Sequence, residues 1–160
     1  MIHAKIKEVI QTYSEELTQL RRTLHSEPEV SWEEFKTTQF VCEYLDQLGI
    51  SYRKTEPTGV IAEIQGGKPG KTVALRGDMD ALQVEELNKD LEYASKEDGK
   101  MHACGHDAHT AMLLIAAKAL NEIKEDMPGN VRLLFQPAEE VAEGAKVLVK
   151  QGAMEGVDNV

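Results

Sequence analysis

Cysteine and basic charge are both scarce in this 160-residue chain, and each shortage removes a class of protein. The two cysteines, Cys42 and Cys104, stand far apart. They can be bridged in principle, but they do not form the dense framework of a small secreted scaffold. Lysine and arginine number 18 against 28 aspartates and glutamates, for a net charge of −10. That balance argues against nucleic acid and against an anionic membrane surface, since both reward basic patches. No stretch approaches the roughly 20 apolar residues of a membrane span. No apolar run near the N-terminus resembles a signal peptide. The expectation is a cytoplasmic, reducing compartment. Neither an internal repeat nor a low-complexity linker interrupts the chain, and its length suits one domain.

The remaining composition favours a packed core. Hydrophobic residues make up 41% and charged residues 29%, outside the range of disordered chains. Ile2, Ile6, Val9, Ile10, Tyr13, Leu17, Leu20 and Leu24 recur at steps of three and four, which predicts an amphipathic helix over 2–24. Pro28 ends it. Ser31 and Glu34 have capping-box spacing and predict a second helix from Ser31, stopped at Gly49. Cys42 reads as a small packing residue within it.

The period then changes. Val60, Ala62 and Ile64 alternate with Ile61, Glu63 and Gln65, as in a strand. Gly66–Gly70 reads as a turn, and Thr72–Arg76 as a second strand running into Gly77-Asp78-Met79-Asp80. Residues 85–100 read as a surface loop. A helix over 107–122 is apolar nearly all round and should be buried. Val131–Phe135 reads as a strand stopped by Pro137, and Gly144–Gln151 as a last helix. Residues 153–160 look like the start of another strand. The order is helix, helix, strand, strand, helix, strand, helix, an α/β pattern with helices covering a sheet.

The densest chemistry lies in His102-Ala-Cys104-Gly-His106-Asp107-Ala-His109, with three of the five histidines and one of the two cysteines. Imidazole and thiolate suit zinc and related metals. In an extended segment Cys104 and His106 leave the same face. A helix N-terminus just beyond would lower the thiol pKa. Asp78 and Asp80 follow a strand, where open α/β sheets bind ligands. Either can ligate a metal or orient a ligating histidine. Glu139 and Glu140, again just past a strand, can divide two jobs: one binds a metal and the other takes a proton from water. His3 reads as exposed. His25 reads as a cap for the carbonyls ending the first helix or as a group favouring its dipole. Arg76 reads as a substrate or structural partner.

The segments Arg76-Gly-Asp-Met-Asp-Ala-Leu82, Gly99-Lys-Met-His-Ala-Cys-Gly-His-Asp-Ala-His-Thr110 and Phe135-Gln-Pro-Ala-Glu-Glu140 resemble the peptidase family M20 amidohydrolases. The branch they resemble holds N-acyl-amino-acid hydrolases, hippurate hydrolase, auxin-conjugate hydrolases and N-acetyldiaminopimelate deacetylases. His25-Ser-Glu-Pro-Glu29 with Glu34 is similar to the same branch. The resemblance implies an aminopeptidase-like α/β catalytic domain, with helices packed on a mixed sheet. It implies two divalent metals per complete site, manganese or zinc, with nickel or cobalt as alternatives. By position, Cys104, His106 and Glu140 resemble metal ligands. Glu139 resembles the general base, and Asp80 the acidic residue supporting the metals. Asp78 stands where other branches carry a ligating histidine, and His102 and His109 bring no ligand role with them.

The implied substrate is an N-acylated amino acid or short peptide, and full-length relatives are expected to be homo-oligomeric. The family pattern continues with a further histidine ligand, a lid domain and a last histidine. Residues 1–160 are therefore expected to form the N-terminal portion of the catalytic domain, with three ligands. A non-catalytic metal-binding fragment and a dipeptidase of the same superfamily are the alternatives.

Overall fold

The computed structural model describes Lys7 and residues 11–160. The predicted first-helix positions Ile2, Ile6, Val9 and Ile10, and His3 with them, lie outside the described residues. The elements run α1 (Ser14–Ser26), α2 (Phe35–Leu48), β1 (Ser51–Lys54), β2 (Val60–Gln65), β3 (Lys68–Asp78) and α3 (His106–Glu122). A 3-10 turn (Lys124–Asp126), β4 (Pro128–Gln136) and α4 (Gly144–Lys150) follow.

The strands form a sheet in the order β1-β2-β4-β3. β1 and β4 each pair with β2 antiparallel, while β3 and β4 run parallel. Strand alternation divides the core between the two faces. Val60, Ala62, Ile64, Leu133 and Phe135 pack with Leu20 and Leu24 of α1, Val41, Cys42 and Leu45 of α2, and Leu113, Leu114 and Ala117 of α3. The intervening Ile61, Ala74 and Leu134 pack with Leu148 of α4. The helix over 107–122 is observed and largely buried, as its all-round apolar surface demands. Among the described residues no helix is long and apolar enough to cross a membrane.

Several local expectations change. The second helix starts at Phe35, not Ser31. Ser31 caps nothing; the carboxylate of Glu29 accepts the amides of Lys36 (3.0 Å) and Thr37 (2.8 Å) instead. Those are first-turn amides with no partner inside the helix. Gly49 does close α2, at φ +65°. β1 is a strand the sequence pattern hides, because it lies at the sheet edge and three of its four residues are exposed. β3 begins at Lys68, inside the predicted turn, with an irregular register between Lys68 and Thr72. Residues 85–100 contain no helix or strand. The expected strand at 153–160 amounts to a single parallel bridge, Val73 to Asn159, beside β3.

The parallel pairing of β3 and β4 does most to gather the chemistry-bearing segments. It sets Asp78 opposite Gln136, so both strands finish at the same edge. Asp80 and the Glu139–Glu140 pair lie just past these two ends, the usual ligand position in α/β sheets.

Candidate metal centre

Each chain segment that reaches this edge arrives by a different local device. The segment 102–105 turns into α3 at Gly105, whose φ of +86° is a left-handed conformation that glycine adopts without strain. His106 is thus the first helical residue, not part of an extended segment as its spacing with Cys104 suggested. The backbone reversal, rather than strand alternation, brings the two side chains together. Beyond β4, Ala138 and Ala142 also have positive φ, at 50° and 56°. The chain doubles back so closely that a Cβ on Gly144 would sit 1.6 Å from the Pro137 carbonyl oxygen. This turn carries Glu139 and Glu140.

Ligand atoms of Cys104, His106 and Glu140 all lie within 4.8 Å of one another. The Oε1 atom of Glu140 is buried without a hydrogen-bond partner. A buried carboxylate oxygen left free beside a thiol and an imidazole is available to ligate a cation. The ring of His106 is oriented to match. Its Nδ1 lies 2.9 Å from the Asp80 carbonyl oxygen, which only accepts hydrogen bonds. Nδ1 therefore carries the hydrogen, and the neutral ring keeps its Nε2 lone pair for a cation. Nε2 is 3.6 Å from Asp78 and 3.7 Å from each of Glu139 and Glu140. Burial disfavours the charged ring, but Asp80 and Asp78 outweigh it and raise the His106 pKa to about 8. A cation bound here displaces that proton.

The residues fit a divalent metal, with a mixed sulfur, nitrogen and oxygen donor set suited to zinc-type ions. The thiol departs from expectation. Cys104 is exposed, and its pKa is raised by the Glu140 carboxylate, by burial, and by the charges of Glu140, Glu139 and Asp78. The neighbouring carboxylates favour the neutral thiol.

Asp80 does not face the cation group as a ligand. It is fully buried and acts as a bracket. Its Oδ1 accepts the Glu139 amide and its Oδ2 the Glu140 amide, both at 3.0 Å. Ser31 Oγ donates to Oδ2 at 2.6 Å. Burial pushes its pKa up, but the His106 ring, the Ser31 hydroxyl and the two amides prevail and hold it at about 2. A carboxyl depressed below its ordinary 3.8 stabilises the fold above that value. The contribution is about 2 kcal/mol and is lost as pH falls through about 4 towards 2. Acid unfolding of Asp80→Asn, followed by circular dichroism, is expected to show a shallower pH dependence across that window. An unchanged slope would count against this bracket.

Asp78 and His109 make a second cation-type group with His106, again with ligand atoms within 4.8 Å. His109 Nδ1 lies 2.7 Å from Asp78 Oδ1, and Arg76 Nη1 donates to Asp78 Oδ2 at 2.5 Å. Arg76 also reaches Gln136 at 2.9 Å, so its structural role is local to the two strand ends. Sequence spacing alone did not pair Asp78 with His109.

Three further residues take places that sequence pattern does not specify. His25 stands in the last turn of α1, where the dipole reading puts it, but its ring caps no carbonyl and is a buried link, with Nδ1 at 2.7 Å from Asp107 and Nε2 at 3.3 Å from Glu86. Arg21 also pairs with Asp107, at 2.7 Å. This ties α1 to the start of α3, behind His106. Glu34 is buried; Ala138 N–H and Thr58 Oγ1 each donate to it at 2.7 Å. Burial raises its pKa against those hydrogen bonds. His102 is 4% exposed with both ring nitrogens unpartnered, and it belongs to neither cation group. Burial lowers its pKa to about 4, so it is neutral.

Residues 74–160 match the family described as Peptidase family M20/M25/M40. Thermostable carboxypeptidase 1 of Saccharolobus solfataricus is 49% identical over 98% of this chain and 40% of its own length. The N-acyl-L-amino acid amidohydrolase of Geobacillus stearothermophilus is 45% identical over 100% of this chain and 44% of its own. A Bacillus subtilis structure, described as a dinuclear metal binding peptidase from M20 family, superposes with a TM-score of 0.87. It is 42% identical and matches 92% of this chain and 42% of that one. The chain thus spans less than half the length of these relatives.

Proposed function

Because the chain belongs to peptidase family M20/M25/M40, we propose that it supplies the N-terminal portion of the catalytic domain of a metal-dependent amidohydrolase, acting on N-acyl amino acids. The observation that carries this reading is the convergence of Cys104, His106 and Glu140 around the unpartnered Oε1 of Glu140. The relative named for N-acyl-L-amino acid hydrolysis supports the substrate class. Manganese or zinc suits the donor set.

A divalent metal held by Cys104, His106 and Glu140 supplies Lewis acidity towards a carbonyl and makes nearby water more acidic. The chain's own groups do the rest. Glu139 is 41% exposed at its side chain, with Oε2 3.7 Å from His106 Nε2, so it reaches the centre yet stays open to substrate and water. Its carboxylate accepts the proton of the attacking water and then delivers it to the departing amine. Asp80 fixes the backbone of both glutamates, so the proton carrier and the neighbouring ligand keep their relative positions. The Asp80 carbonyl holds the His106 tautomer. The amide C–N bond breaks, giving a free carboxylate and an amine.

A second reading, cleavage of short peptides from the C-terminal end, is favoured by the identity to a relative named as a carboxypeptidase. One assay separates the two. The zinc- or manganese-loaded protein is offered N-acetyl amino acids and unblocked dipeptides side by side, with amine release measured. Preference for the N-acetyl substrates is the expected result. Exclusive cleavage of dipeptides would replace the first reading with the second. Zinc bound at this centre with neither substrate cleaved would favour a non-catalytic metal-binding chain.

A further inference from the structure

Glu34 is a carboxylate with 0% exposure, on a segment that contributes no atom to the cation group. A charge or acid in that position persists only when its oxygens are satisfied. Both are: Thr58 Oγ1 donates to Oε2, and the Ala138 amide donates to Oε1, each at 2.7 Å. Ala138 is the residue that matters. It directly precedes Glu139 and Glu140, it is fully buried, and it holds a left-handed φ of 50° that alanine adopts reluctantly. Such a backbone persists only where its surroundings over-determine it. Its carbonyl oxygen accepts the Gly144 amide at 3.1 Å. Its amide has Glu34.

The turn carrying the proton carrier and the ligand is therefore gripped from two directions. Asp80 holds the amides of residues 139 and 140, and Glu34 holds the amide of residue 138. The two grips share an origin. Ser31, three residues before Glu34, donates to Asp80, and Ala81 donates its amide to the Glu29 carbonyl at 2.8 Å. One short segment, 29–34, thus braces both.

We infer that Glu34 is a positioning residue for the metal centre, setting the Ala138–Glu140 turn so that the Glu140 carboxylate meets Cys104 and His106. The inference rests on the metal-centre reading above. It differs from a purely structural role in one respect. A structural residue alters stability alone, whereas a positioning residue alters the affinity of the folded protein for metal.

The test is zinc titration by calorimetry, with Glu34→Asp and Glu34→Gln. Aspartate keeps the charge but withdraws the carboxylate by one methylene from the Ala138 amide. Glutamine keeps an acceptor for that amide and can donate to Thr58 Oγ1. Glu34→Asp is expected to weaken zinc binding about 10- to 100-fold, the usual cost of losing a partner that orients a ligand. Glu34→Gln should restore affinity close to that of the unaltered protein. A folded Glu34→Asp protein with unchanged zinc affinity, whatever its thermal stability, overturns the inference. Should Glu34→Asp not fold, Thr58→Val loosens the same carboxylate through its other oxygen, and unchanged affinity there is equally decisive. An unaltered protein that binds no zinc removes the metal-centre reading and this inference together, an outcome distinct from the others.

Discussion

Turnover of N-acyl amino acids is expected to fall by about 10²- to 10⁴-fold on Glu139→Ala, the range for loss of a general acid–base group, with zinc affinity nearly unchanged. The reason is a division of labour between adjacent residues. Both amides are anchored on Asp80, but the side chains differ in surroundings. Glu140 turns a buried oxygen towards Cys104 and His106. Glu139 stays 41% exposed, as a group that exchanges protons must. Steady-state rates paired with zinc titration separate the roles. Equal loss of metal and rate would make Glu139 a ligand. An unchanged rate would place the proton carrier elsewhere.

The complementary substitution, Glu140→Ala, is expected to weaken zinc binding by more than the roughly 100-fold upper range for residues that merely orient ligands. It removes one of only three donors that meet in this group. It also removes the only carboxylate of that group. The buried Oε1 has no other partner to lose, so stability of the metal-free protein should change little. Calorimetry of zinc binding and thermal unfolding without metal check both halves. Retained zinc affinity would move the cation to the Asp78–His106–His109 group.

These expectations rest on features of unequal legibility. The cysteine–histidine cluster was legible because such residues are scarce and chemically specific, and the structure gathers Cys104 and His106 with Glu140. The helix over 107–122 was legible from an apolar surface running nearly all round, and the strand over 60–65 from the alternation of its residues. β1 was not, because an exposed edge strand has no buried face to impose alternation. Ser31 and Glu34 mislead for an instructive reason. Their spacing satisfies a local capping rule, yet their side chains are taken by Asp80, Ala138 and Thr58. Partners so distant in the chain leave no local spacing signal. His25 and Asp107, and Asp78 and His109, are likewise separated by too much chain for any periodicity to join them.

Taken by itself, the order of residues determined which residue types the chain offers for chemistry, the α/β class and the family to which the chain belongs. Each depends on residue type and near-neighbour spacing, which the covalent chain holds without folding. Tertiary structure alone decided which carboxylate faces the cation group and which braces the backbone. Asp80 and Glu140 are chemically alike, and only the parallel register of β3 and β4, with the positive-φ turn at Ala138, turns one towards amides and the other towards Cys104 and His106.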